Sequence, residues 1–163
     1  MHRSGHVGAA LLVYTPLGVA VALAGYEFVA VLGAVVAASL STTPDLDHRM
    51  PTIEHRGPTH TVAFAVLVGA ALAGVTATVV ATPSPVVDVG VVTFAFVVGT
   101  LSIGSHLLAD ALTPMGIRPF WPLSGRRYTL NLTRAADPTA NSLLLLVGLA
   151  AVVVGVGVVS VLG

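Results

Sequence analysis

The ionisable side chains of this sequence are few, and most of them fall in a handful of short stretches. His106 and Asp110 lie four residues apart in the apolar run "IGSHLLADAL", so on a helix they would share one face. Asp45 and Asp47 lie in "PDLDHR", and in an extended segment both carboxylates would point the same way. Imidazole and carboxylate are ligands for divalent metals. These spacings therefore predict a metal site.

The stretch "HRGPTHT" carries two further histidines, His55 and His60, on either side of a Gly-Pro pair. Glycine permits a tight turn and proline is favoured in the first turn of a helix. We therefore expect His60 where the apolar helix that follows begins, which is the membrane entrance if that helix spans a bilayer. Arg56 between them suits a phosphate or one of the acids. The candidate ligands are His6, Asp45, Asp47, His55, His60, His106 and Asp110.

Each of these stretches also has a structural interpretation without chemistry. The His106–Asp110 pair could hydrogen-bond and only pack helices, and the "DLD" stretch could be a solvated capping turn. The histidines of "HRGPTHT" could bind headgroups or water. The functional interpretation is favoured because ionisable residues within membrane segments are costly and are usually retained for a function.

Composition places the chain in a membrane. It has 163 residues, of which 55% are hydrophobic and only 9% are charged, against roughly 25% charged in soluble proteins. There is no cysteine, which excludes disulfides and thiolate ligands. Every basic residue is an arginine and none forms a long basic run, so no nucleic-acid partner is expected. The length predicts one membrane-embedded domain, residues 1–163.

Apolar segments of nearly membrane-spanning length predict an all-α integral membrane protein, a small bundle of four to five transmembrane helices. The first two segments could be two short spans or a re-entrant pair. The first apolar run is longer than that of a signal peptide, so we expect it to be retained. The predicted helices cover residues 7–24, 28–40, 61–81, 89–112 and 140–162.

The arginines predict the orientation of this bundle. Five alternating spans place all seven on one side, together with the six histidines and five of the seven acids. Arginine in short loops marks the cytoplasmic face. We therefore expect a multi-pass protein of the inner or plasma membrane, with the N-terminus and the polar site at the cytoplasmic face.

Four blocks in this order, "RSGHVGAALL", "PDLDHR", "HRGPTHT" and "HLLADALTPMGIRPFWPLS", resemble the YdjM-like family. Its members are described as inner-membrane metal-dependent hydrolases, and the resemblance covers about residues 3–125. It implies a multi-span helical protein with hydrolytic activity. It also implies a metal site formed by His6, Asp45, Asp47, His60, His106 and Asp110.

The resulting hypothesis is hydrolysis assisted by one or two divalent ions, Zn, Mn or Fe, which activate a water near neutral pH. Asp45, Asp47 or His55 would act as general base, and Arg56 and Arg118 would steady an anionic group. Because the site lies at headgroup depth, membrane lipids are the expected partners and a lipid or lipid-linked phosphoester is the expected substrate.

Two alternatives remain at this point. A divalent cation or proton transporter would need polar groups that continue toward the outer face, where the sequence is apolar. A non-catalytic, metal-stabilised scaffold would lose stability without metal and have no activity.

Overall fold

A computed structural model describes residues 1–49 and 56–163. Within these residues the structure is helical, and its only ladder pairing is a single antiparallel bridge between Ile117 and Tyr128. This confirms the predicted all-α bundle. The α-helices are α1 Arg3–Leu23, α2 Glu27–Leu40, α3 Val62–Val79, α4 Pro85–Ala111 and α5 Pro138–Leu162, with short 3-10 helices at Pro44–Arg49 and Pro58–His60.

Five segments are long and apolar enough to cross a membrane. The second is unusual, because α2 has only 14 residues, about 21 Å, less than the roughly 30 Å of bilayer hydrocarbon. A turn and the first 3-10 helix extend this segment to Glu27–His48, which has 22 residues. The second span is therefore an α-helix with a broken end, and the break carries the Asp45–Asp47 stretch.

Two helices begin four residues earlier than the sequence predicted. Helix α4 begins at Pro85 rather than at residue 89, because proline fits the first turn of a helix. Helix α1 begins at Arg3 rather than at residue 7, so His6 lies in its first turns. The start of α1 is attached to α5 through Asn141, whose Oδ1 accepts a hydrogen bond from the His2 amide at 2.8 Å.

Helix α1 lies at the centre of the bundle, in contact with α2, α4 and α5, while α3 packs on α4. Small residues allow close approach at these contacts. A Cβ at Gly148 of α5 would collide with the backbone of Gly8 in α1, and a Cβ at Gly99 of α4 would meet the backbone of Gly69 in α3. Glycine at these contacts brings the backbones together, as is common between membrane helices.

The segment between α4 and α5 folds back over the end of α4. The Leu130 amide donates to the Ala111 carbonyl at 2.7 Å, and Ile117 and Tyr128 exchange backbone hydrogen bonds. The same end of the bundle holds the start of α1 and both 3-10 helices. Most of the chemistry-bearing residues are thereby collected at one end.

Substitution of Gly148 by valine tests the α1–α5 contact. We expect Gly148→Val to lower the free energy of unfolding by about 3 kcal/mol, because the obstacle is backbone rather than a movable side chain. Gly157→Val is the matched control on the same helix, since a Cβ at Gly157 meets nothing within 4 Å. Unfolding of both variants in detergent checks this, and equal losses would contradict it.

Candidate metal centre

Five side chains from four elements converge at this end of the bundle. Three imidazoles and one carboxylate are fully buried, with side-chain exposures of 0–1%, whereas the Asp45 side chain is 27% exposed. The buried cluster therefore meets solvent at Asp45. Its members are His6 of α1, Asp45 of the first 3-10 helix, His60 of the second, and His106 and Asp110 of α4.

Four donor atoms of this cluster are spaced as the ligands of one metal ion would be. His60 Nε2 lies 3.1 Å from His106 Nε2, 3.5 Å from Asp110 Oδ2 and 3.7 Å from Asp45 Oδ1. His106 Nε2 lies 3.6 Å from each of the same two oxygens. Tetrahedral coordination with bonds of 2.0–2.2 Å separates its ligand atoms by about 3.4 Å. Ligand atoms of His6, Asp45, His106 and Asp110 also all lie within 4.8 Å of one another, so the cluster could hold a divalent ion.

The tautomer of His106 is fixed by the broken end of the second span. Helix α2 ends at Leu40, and the carbonyls of its last turn are left without helical partners. The Ser41 carbonyl accepts a hydrogen bond from His106 Nδ1 at 2.7 Å. A carbonyl can only accept, so Nδ1 carries the proton and Nε2 presents its lone pair to the cluster.

His60 is oriented in the same way by Asp47. Its Nδ1 lies 3.3 Å from Asp47 Oδ2 and 3.0 Å from Thr59 Oγ1, and the Thr59 hydroxyl donates to Asp47 at 2.8 Å. The proton of His60 is thus on Nδ1, and its Nε2 lone pair faces that of His106. Two such lone pairs at 3.1 Å repel each other unless they share a proton or a cation. Carboxylate support of a ligand histidine is common at metal sites.

His6 adds a second group of donors. Its ring stacks on His106 at 3.7 Å, with 9° between the planes, and its Nε2 lies 3.6 Å from Asp45 Oδ2 and from Asp110 Oδ1. The amino group of Met1 stands here, 3.0 Å from His6 Nε2 and 2.7 Å from Asp110 Oδ1. Asp45 and Asp110 each direct one carboxylate oxygen toward His60 and His106 and the other toward His6.

Arg56 neutralises part of the acidic charge. Its Nη2 lies 3.0 Å from Asp110 Oδ1, and its Nη1 donates to Thr113 Oγ1 and to the Gly116 carbonyl. Its backbone has φ +60°, a region that non-glycine residues rarely adopt, and its amide donates to Asp47. From the sequence, Arg56 suited either a phosphate or one of the acids. The structure places it, 7% exposed, against the carboxylate of Asp110.

Asp45 and Asp47 do not form the expected extended stretch. They lie on a 3-10 helix, where residues two apart point in different directions. Asp45 therefore enters the cluster while Asp47 supports His60 from outside it. His55 lies outside the described residues, and its predicted role as a base stays a prediction.

Sequence reasoning missed the supporting groups. The Ser41 carbonyl has no signature in the sequence, because its availability depends on where α2 ends. Thr59 did carry a signal, since it adjoins His60 within "HRGPTHT".

Replacing Asp45 and Asp47 in turn should show which of them is a metal ligand and which only orients one. We expect Asp45→Asn to abolish metal binding, because one Asp45 oxygen lies near His60 and His106 and the other lies near His6. We expect Asp47→Asn to weaken metal affinity by about 10–100-fold while keeping the stoichiometry, as for other groups that orient a ligand. Competition titration and elemental analysis measure these, with Asp88→Asn at the opposite end of the bundle as control. If Asp47→Asn binds fewer metal ions per chain than the wild type, Asp47 is itself a ligand.

Comparison with known proteins gives one match. Neither the curated proteins nor the solved structures contain a match to this chain. The family model described as "YdjM inner membrane protein" matches residues 1–162, so the family pattern extends beyond the four sequence blocks and through α5. Together with the five apolar helices this establishes a membrane protein. The chain belongs to the YdjM inner membrane protein family.

Proposed function

We propose that this protein is a membrane-bound metal-dependent hydrolase that acts on a lipid or lipid-linked phosphoester at the cytoplasmic membrane surface. The observation that carries the proposal is the convergence of three histidine Nε2 atoms and two carboxylates at one end of an apolar helix bundle. Such a cluster is costly in a membrane unless it binds an ion or performs chemistry.

The four-donor position formed by Asp45, His60, His106 and Asp110 would hold the metal, with His6 available for a second ion. Imidazole and carboxylate without thiolate suit Zn, Mn or Fe. A catalytic ion keeps one coordination position for water, so it would be held by three of these four donors and would supply Lewis acidity and make that water more acidic.

Three further side chains would have distinct roles in the reaction. Asp45 is the cluster member that solvent reaches, so its carboxylate is placed to accept a proton from an incoming water. Arg56 holds Asp110 in place and offsets its charge. Arg118 lies in the segment that folds back over α4, and its guanidinium would contact an anionic headgroup.

The location of the cluster supports a lipid substrate. Its residues lie at the ends of membrane-spanning segments, which is the depth of lipid headgroups and ester bonds. Transport is less well supported, because Tyr14, Ala37 and Val98 form an apolar core deeper in the bundle. A cation or proton path would need polar groups through this level.

Metal content and activity test the hydrolase together. Detergent-purified protein should contain one or two equivalents of Zn, Mn or Fe by elemental analysis, and His60→Ala/His106→Ala should contain none. Release of phosphate or headgroup from phosphatidic acid, phosphatidylglycerol and an isoprenyl diphosphate in vesicles should fall about a thousandfold in the double variant, since a Lewis-acid metal contributes several kcal/mol.

Two outcomes would contradict the hydrolase. Metal-free wild type, even after divalent ions are added back, would leave a proton-sharing polar cluster. Bound metal that raises the melting temperature without hydrolysis of any of these lipids would identify a metal-stabilised scaffold.

We infer further that the cluster faces the cytoplasm, because arginine is confined to the same end and arginine-rich short loops are cytoplasmic. The chain has no cysteine, so single cysteines report orientation directly. Ala81→Cys, between α3 and α4, should react with a membrane-impermeant maleimide in intact spheroplasts. Gly125→Cys should react only after permeabilisation, and the reverse pattern would overturn the orientation.

A further inference from the structure

An apolar recess of about 240 Å³ lies between α3 and the segment that follows α4. Phe64 and Leu67 line it from α3, and Trp121 and Pro122 line it from the other side. A backbone hydrogen bond of 2.9 Å, from the Val62 amide to the Pro119 carbonyl, ties the two walls together. Because α3 is a membrane-spanning helix, the α3 wall of this recess adjoins the bilayer.

The inner end of the recess adjoins the cluster. Pro58 and Thr61 line it there, and they flank His60, whose Nε2 is one of the four converging donors. The Thr61 hydroxyl donates to the Pro58 carbonyl at 2.8 Å, which fixes this wall. A larger apolar recess, about 320 Å³, lies between α1, α2 and α5, but no cluster residue lines it.

The segment that forms the wall opposite α3 is basic. Residues 112–137, between α4 and α5, contain four arginines and one acidic residue, Asp137. Arg118 lies three residues before Trp121, and its carbonyl accepts a hydrogen bond from the Trp121 amide. Arg126 lies over the Tyr128 ring at 5.3 Å, and Leu123 is 95% exposed. Arginine beside exposed apolar and aromatic side chains complements an anionic lipid surface.

We propose that this recess, bounded by Pro58, Thr61, Phe64, Leu67 and Trp121, is a binding site for the hydrocarbon tail of an anionic phospholipid. The tail enters from the bilayer along α3, and the arginine-bearing segment holds the headgroup beside His60. That this lipid is the substrate rests on the proposed hydrolase, whereas its binding in the recess does not.

The only tryptophan of the chain is Trp121, so all tryptophan fluorescence comes from one wall of this recess. The full chain is reconstituted in phosphatidylcholine vesicles with a minor fraction of phosphatidylglycerol. Bromine is placed on the tails of phosphatidylglycerol in one preparation and on an equal amount of phosphatidylcholine in the other. Brominated phosphatidylglycerol should quench Trp121 about fivefold more effectively, the enrichment expected from one arginine near the headgroup. Arg118→Gln should reduce this preference.

Ala63→Phe adds a ring inside the recess, since Ala63 lines it, and should lower quenching to the level given by bulk lipid. Ala71→Phe is the matched control on the same helix, where Ala71 is exposed outside the recess. Equal quenching of the wild type by the two brominated lipids would overturn the site. Equal effects of the two phenylalanine variants would overturn it as well.

A further variant tests the lipid site independently of the metal cluster. In His60→Ala/His106→Ala the preference of Trp121 for brominated phosphatidylglycerol should persist, because no lining residue is changed. Persistent preference without hydrolysis in the wild type would reject the hydrolase and retain the lipid site. Hydrolysis without preference would reject the lipid site alone.

Discussion

The structure depends on one electrostatic constraint: ionisable groups in an apolar bundle must satisfy one another or bind an ion. The constraint brings three histidines and three aspartates to one end, where carbonyls, hydroxyls and a guanidinium surround them. His106 is held by the Ser41 carbonyl and His60 by Asp47. Because each histidine is held through Nδ1, both direct Nε2 inward. The surrounding hydrogen bonds therefore determine which atoms are available to a cation.

The irregular backbone of the bundle is located where this constraint acts. Helix α2 stops at Leu40, short of a full span, and the turn and 3-10 helix that follow bring Asp45 into the cluster. Arg56 adopts a left-handed backbone conformation that is costly for a side-chain-bearing residue. Hydrogen bonds to Asp47, Asp110 and Thr113 offset that cost. Broken helices in membranes are tolerated where such partners satisfy the backbone.

The sequence predicted the membrane class, the number of apolar helices and the common end of the polar residues, because hydropathy and charge alone determine these. It did not predict that Asp45 and Asp47 diverge, since that depends on a 3-10 rather than an extended backbone. It allowed Arg56 to pair with an acid but did not identify Asp110, because the two residues lie far apart in the chain. The closeness of Gly8 and Gly148 also depends on which helices are neighbours, which hydropathy does not specify.

Two arrangements of positive charge could balance the cluster. In one, the Met1 ammonium at Asp110 Oδ1 is combined with a proton shared by His60 and His106. This arrangement leaves Asp110 Oδ2 buried and without a hydrogen-bond partner among the described residues, which is costly for a charged oxygen. A divalent ion at the four-donor position would engage that oxygen and both Nε2 lone pairs at once. The cluster therefore has the donors to hold a metal ion, and such an ion would satisfy the Asp110 oxygen that the described hydrogen bonds leave without a partner.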